Sequence, residues 1–312
     1  MKFSFTNQIL YKHNDSMELK ITNLPIANYM TPYPISVDPD VSFNKAIEFM
    51  AERGFGNLII SDGNTPKGIL TEREILQSIV HGRNISKLKV GDMGSQSYVR
   101  ISLDYSVLEA AQTMILRKKR LLVFEDDDKL IGIITASDMI RAFRKTKDAP
   151  TLDKVVSTKI IKCNYGDTIL DAVKIMHDKR IGSVIIDNMG GYGIFTERDL
   201  LVHVLANEVD LKGQVGGYAS SPLVVADQGI KANKAASTMA AENIKRLGLI
   251  KDGVLVGIVT ARDLVDAYQG AYQISNPYLE QLSNTFQDKR FLAKKYLHVP
   301  EQLNFKSCIK QW

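Results

Sequence analysis

Two cysteines in 312 residues, Cys163 and Cys308, sit far apart with no metal-ligand spacing between them. That excludes a disulfide-built scaffold and a zinc-finger arrangement, and it suits a reduced cytoplasm. No apolar run approaches the roughly 20 residues needed to cross a bilayer, so no membrane span is expected. The first eight residues, Met1-Lys2-Phe3-Ser4-Phe5-Thr6-Asn7-Gln8, carry no sustained apolar core, and a signal peptide is not expected. The five histidines (His13, His81, His177, His203, His298) make no metal or triad spacing, and His81 and His203 read as surface or packing residues. Neither a P-loop nor a dinucleotide fingerprint occurs, and the glycines of Asn188-Met189-Gly190-Gly191 read as a turn. Charge of one sign is also scarce. The net charge is +5, of which residues 270–312 supply +3, so the rest is nearly balanced and nothing global demands nucleic acid.

What the sequence has is repetition. Gly68-Ile69-Leu70-Thr71-Glu72-Arg73-Glu74 returns as Gly132-Ile133-Ile134-Thr135-Ala136-Ser137-Asp138, as Gly193-Ile194-Phe195-Thr196-Glu197-Arg198-Asp199 and as Gly257-Ile258-Val259-Thr260-Ala261-Arg262-Asp263. The threonines are 64, 61 and 64 residues apart, a period that marks a repeated structural unit. In each copy the glycine and two apolar residues predict a short buried strand. The threonine then ends the strand and caps a helix, and the acid three positions on lies in the first helical turn, where free amides favour negative charge.

Around each copy the same order recurs: strand, helix, strand, strand, helix. In the first unit the strand Ile35-Ser36-Val37 precedes a helix whose apolar positions Phe43, Ala46, Ile47 and Met50 follow helical spacing. The second has the strand Val99-Arg100-Ile101 and a helix over 106–116. The third has a strand at Ile160-Ile161 and a helix over 168–176, and the fourth a strand at Leu223-Val224-Val225 and a helix over 230–241. Met50, Met114, Met176 and Met239 fall at the same phase and read as core fillers. The expected organisation is an extension at 1–23, units at 24–86, 87–148, 149–211 and 212–271, and a part-helical tail at 272–312 with a helix start at Asn276-Pro277. The fold class is α/β (α+β), a small sheet with two packed helices per unit. Pro150 marks a break between two pairs, one with two and three with four.

The four glycine-apolar-apolar-threonine-x-x-acid copies resemble cystathionine beta-synthase (CBS) domains, as do the lead-in segments Tyr29-Met30-Thr31-Pro32 and Val37-Asp38-Pro39-Asp40. The resemblance covers roughly residues 24–271. It implies two pseudo-twofold pairs, often called Bateman modules, with clefts that hold AMP, ADP, ATP or S-adenosylmethionine. By the family pattern the acid takes the ribose hydroxyls and the threonine lies near ribose and phosphate. Carried over, these are Asp138, Asp199 and Asp263 with Thr135, Thr196 and Thr260. The first unit departs from the pattern with Glu74, which also completes a plain capping box with Thr71.

Residues of the partner unit are implied to line the rest of each cleft. Lys245, Arg246 and Leu223 fall to the cleft of Asp199, and Ile160 with Gly182 to that of Asp263. Pro34, Ile35 and Phe55 fall to the cleft of Asp138, and Tyr98, Val99 and Arg120 to that of Glu74. Arg198 and Arg262 lie inside helix starts, where a cation is slightly unfavourable, and this points to phosphate. The resulting expectation is a non-catalytic adenine-nucleotide sensor that signals to a protein partner, with a homodimer among the possible assemblies. An interaction scaffold with empty clefts is the alternative. Four units leave too few residues for a catalytic barrel or cofactor domain, so an enzyme is not expected.

Overall fold

Each unit starts from the same local physics. Ser42 caps α1 (Phe43–Arg53), its hydroxyl accepting from the Lys45 amide at 3.3 Å. Phe43, Ala46, Ile47 and Met50 form the buried face, and Gly54 ends the helix with φ at 70°, a left-handed conformation that favours glycine. The chain then enters β3 (Asn57–Asp62) and folds back as β4 (Thr65–Thr71), with Ile59 opposite Ile69 and Ile60 opposite Gly68. A short parallel strand, β2 (Ser36–Val37), lies on the other edge of β3, the connection being α1 itself. Helix α2 (Glu72–Val80) follows β4 directly.

The computed structural model describes residues 24–63, 65–93, 98–117, 119–125, 128–147, 149–188 and 191–272, without the side chains of 188 and 269–272. The expected extension at 1–23 and the helix start at Asn276-Pro277 lie outside the described residues. Unit two contributes β5 (Tyr98–Ile101), α3 (Val107–Arg117), β6 (Arg120–Phe124), β7 (Leu130–Ile134) and α4 (Ala136–Phe143). Unit three contributes β8 (Lys162–Asn164), α5 (Ile169–Asp178), β9 (Ser183–Asn188), β10 (Gly191–Thr196) and α6 (Glu197–Asp199). Helix α6 continues through a wider π turn, in which the Leu205 amide bonds the carbonyl of Leu200. Unit four contributes β11 (Val225–Asp227), α7 (Ala232–Ala241), β12 (Arg246–Lys251), β13 (Val254–Thr260) and α8 (Ala261–Tyr272).

Two first strands are displaced from the expected positions. Pairing begins at Lys162 rather than Ile160, and at Val225 rather than Leu223. Ile160 and Leu223 instead pack into the apolar layer between the sheets of units three and four, with Ile185, Ile194 and Leu255. Apolar residues mark burial, and here the burial precedes the hydrogen-bonded ladder by two residues.

Units pair one with two and three with four. Ile59 and Ile69 of unit one pack on Leu122, Phe124 and Ile133 of unit two. The lead-in segments tie each pair together. Strand β1 (Thr31–Pro32) joins not its own sheet but the edge of unit two, antiparallel to β7, with Thr31 opposite Ile133. Ser220 of unit four bridges to Ile194, and Ser157 of unit three bridges to Ile258. The helices carry contacts between the pairs: α2 packs on α5, and α4 on α7. Leu76 of unit one lies in the core of unit three, and Leu201 of unit three in the core of unit one. Each such side chain contributes about 1.5–3 kcal/mol of burial, an upper figure because denatured chains are partly collapsed. The rings of Phe143 and Tyr268 meet at a tilt, 5.1 Å between centroids, between units two and four, and the Thr146 and Tyr268 hydroxyls share a hydrogen bond.

Candidate functional site

The four threonine–acid caps place four carboxylates at equivalent positions. Thr71, Thr135 and Thr196 hold extended backbone, so each can end a strand and start a helix. One carboxylate oxygen of each acid accepts from the threonine amide, at 2.9 Å for Glu74, 2.6 Å for Asp138, 2.8 Å for Asp199 and 2.7 Å for Asp263. The same oxygen accepts from the threonine hydroxyl, at 2.6 Å in all three aspartate copies. The Thr71 hydroxyl also bonds Glu74. One oxygen of every acid is therefore committed to the cap.

The second oxygen distinguishes the copies. Asp138 Oδ1 accepts from the Thr31 hydroxyl at 3.2 Å and from Arg141, and its carboxylate is wholly buried. Arg141 also donates to the Tyr29 carbonyl at 3.1 Å, which holds it across the pair. Burial pushes the Asp138 carboxyl above its ordinary value, against the Thr135 hydroxyl and Arg141. Asp199 Oδ1 accepts from the Ser220 hydroxyl at 2.9 Å, with His203 Nε2 at 3.8 Å. Asp263 is only half-buried, and its Oδ1 has no hydrogen bond among the described residues. Ser157, which occupies the lead-in position of Thr31 and Ser220, accepts from the Ile258 amide at 3.2 Å but donates nothing to Asp263. Burial raises the Asp263 pKa too, against the Thr260 hydroxyl and amide. The lead-in residues opposite Glu74 fall within 94–97, outside the described residues.

The other expected residues divide into two groups. Ile160 and Leu223 belong to the apolar layer between sheets, while Ile35 is 41% exposed and Pro34 half-buried beside it. Phe55 meets Phe49 edge-on, and Tyr98 stacks on Phe124 and donates to the Pro66 carbonyl. Arg120 stands opposite Tyr98 in the ladder, and its side chain makes no hydrogen bond or ion pair among the described residues. Arg262 turns outward to Asp266 at 3.7 Å. Arg198, Lys245, Arg246 and Gly182 converge instead. Arg198 donates to the Gly54 carbonyl at 2.9 Å and lies 3.9 Å from Glu72, and Lys245 lies 3.5 Å from Glu72. Arg246 runs over Gly182, where a Cβ would stand 2.1 Å from its Nη2 and 2.9 Å from a Glu197 oxygen.

Three members of this centre were not among the expected site residues: Glu72, Arg73 and Glu197. Arg73 Nε lies 2.9 Å from Glu197 Oε1, so the helix starts of units one and three exchange arginine–glutamate pairs in both directions. The glutamate side chains are only 10% and 12% exposed, and one oxygen of each, Oε1, is buried without a hydrogen bond. Burial raises the Glu197 pKa, with Arg73 and Arg246 opposing. A signal was present in the sequence. Units one and three alone carry Glu-Arg between the threonine and the acid, where units two and four have Ala-Ser and Ala-Arg. Among the described residues no group of three or more His, Cys, Asp or Glu side chains is placed to hold a metal ion.

Comparison with known proteins identifies the family. The model of the CBS domain matches at residues 26–81, 90–145, 152–206 and 215–270. The chain belongs to the CBS domain family. This CBS protein is 27% identical to protein MJ1404 of Methanocaldococcus jannaschii over an alignment of 264 residues, with coverage of 78% of this chain but only 61% of that one. Protein MJ1225 of the same organism is 24% identical over an alignment of 211 residues, with coverage of 62% of this chain and 75% of that one. The crystal structure of MJ1225 superposes with a TM-score of 0.68 at 19% identity, covering 78% of this chain and 99% of that one. A conserved protein from Pyrococcus horikoshii gives 0.57 at 17% identity, covering 78% and 100%. Both likenesses concern the fold.

Proposed function

We propose that this CBS protein is a non-catalytic sensor of adenine nucleotides, with its principal site in the cleft of Asp263 between units three and four. The observation that carries this is the unengaged Oδ1 of Asp263. Alone among the three aspartates its second oxygen accepts no hydrogen bond among the described residues, and it stands at a helix start whose amides favour a phosphate. A carboxylate oxygen accepting ribose hydroxyls forms charge-assisted bonds, worth roughly 1.5–3 kcal/mol. Arg246, expected at the cleft of Asp199, stands opposite Thr260 in the β12–β13 ladder, and its side chain runs over Gly182, which supports a place for both beside Asp263. The description of MJ1225 as a proposed archaeal homolog of g-AMPK supports a regulatory reading.

In this reading ligand binding shifts the packing of the paired units, and a protein partner reads the change. The shift requires unequal affinity for the two arrangements. Arg246 offers the route, because it touches both the cleft and Glu197, which is paired to unit one. The ligand class spans AMP, ADP, ATP and S-adenosylmethionine. Titration calorimetry of wild type and Asp263→Asn tests the site: the variant keeps its cap, since asparagine caps nearly as well as aspartate, and binds about ten- to 150-fold more weakly. Equal affinity in the two proteins refutes it. An interaction scaffold is the second reading, favoured by Asp138 and Asp199, whose second oxygens are already engaged by Thr31 and Arg141 and by Ser220. Absence of binding by any of the four ligands would establish that reading instead.

A further inference from the structure

The reciprocal charge cluster where units one, three and four meet has a composition that bears on which anion it accepts. Arg73, Arg198, Lys245 and Arg246 bring four positive charges, and Glu72 and Glu197 bring two negative ones. The two signs are not placed alike. The arginine and lysine side chains Arg73, Arg198 and Lys245 are 33%, 36% and 36% exposed, whereas the glutamates lie beneath them at 10% and 12%. Most guanidinium donors are also unspent, Arg198 giving one hydrogen bond to the Gly54 carbonyl. The face turned to solvent is therefore cationic and rich in donors. Its surplus is two charges.

We propose that Glu72 and Glu197 are specificity-determining residues that limit this centre to a singly phosphorylated nucleotide. The inference rests on the nucleotide reading of the Asp263 cleft and names the member of the class. A phosphate monoester carries close to two negative charges near neutral pH and offers three acceptor oxygens, which matches the surplus and the unspent donors. A triphosphate carries about two charges more and would set them against the glutamates, which are only 10% and 12% exposed. Water cannot screen that repulsion well at side chains so little exposed. Adenosine, without a phosphate, leaves the cations unmatched. S-adenosylmethionine, a sulfonium without a phosphate, meets a centre of its own sign.

The test is titration calorimetry of the full chain at pH 8 without magnesium, using adenosine, AMP and ATP. AMP is expected to bind about ten-fold or more tightly than ATP, since like charges brought together in a covered site cost several kcal/mol, and than adenosine, which offers the unspent donors no phosphate oxygen. Glu72→Gln and Glu197→Gln, each close to isosteric, are expected to move the ATP-to-AMP affinity ratio toward ATP by about ten-fold. The wild-type ratio needs no variant to fold, and either glutamine variant suffices for the second measurement. ATP binding as tightly as AMP, or a ratio unmoved by either glutamine, overturns the inference while leaving the nucleotide reading in place. Binding of none of the three overturns both.

Discussion

Asp138 and Asp263 occupy the same position in their repeats, yet replacing each should have opposite consequences. In Asp138→Ala the Thr135 amide loses its acceptor, and loss of such a cap costs about 1 kcal/mol. The Thr31 hydroxyl and Arg141 also lose theirs, at a site with no exposure. A charge-assisted bond to a buried group contributes roughly 1.5–3 kcal/mol, and the low end applies because Arg141 is 46% exposed and recovers water. The total is about 3 kcal/mol. At about 2–4 °C per kcal/mol for a body of this size, the midpoint falls by about 6–12 °C. In Asp263→Ala only the Thr260 contacts are lost, about 1 kcal/mol and about 2–4 °C. Differential scanning calorimetry at pH 7 measures both, with AMP titrations alongside. Asp138→Ala should lose the more stability and keep AMP affinity; Asp263→Ala should lose little stability and bind AMP weakly. Midpoints lowered equally in the two variants would refute the reasoning, because the second oxygen would then carry no weight.

Other expectations concern the charged centre and the seam between pairs. Arg73→Ala strands the Glu197 carboxylate and should cost about 2–3 kcal/mol at pH 7 by urea denaturation. Because burial raises the Glu197 pKa, its protonated form is favoured in the folded protein, so the deficit should shrink as pH falls through that raised value; a deficit constant from pH 7 to 4.5 would contradict this. The Asp263 pKa is likewise raised above its ordinary 3.8, so AMP affinity should begin to fall on acidification before a free aspartate would protonate, as read by calorimetry across pH 4 to 7. Tyr268→Phe removes the hydroxyl shared with Thr146, while Thr146 still reaches the Phe143 carbonyl at 2.8 Å. It should cost about 1 kcal/mol with no effect on nucleotide binding, and a larger loss would mean that the ring itself had moved.

The repeat, the caps and the helix faces were decided by the sequence alone. Threonine at a 61–64 residue period, an acid three positions on and apolar residues at helical spacing are local rules, and each is satisfied by neighbours in the chain. Phe43, Ala46, Ile47 and Met50 are accordingly all buried, and all four acids close their caps. The expected pairing follows from the same logic, since each small sheet has a second apolar face to cover.

Only the tertiary structure decided what happens to the other half of each carboxylate. Thr31 reaches Asp138 across 107 positions of sequence, and Ser220 reaches Asp199 across 21. Nothing near Asp138 or Asp199 in the chain separates either from Asp263. The same holds for Arg73 and Glu197, and for Leu76 and Leu201, which complete each other's cores from separate pairs. A capping bond closes within one helical turn and leaves its signature in the residue spacing. The second oxygen, a buried charge or a leucine seeking cover can be satisfied by any segment that folding brings alongside, and that partner is set by position in space.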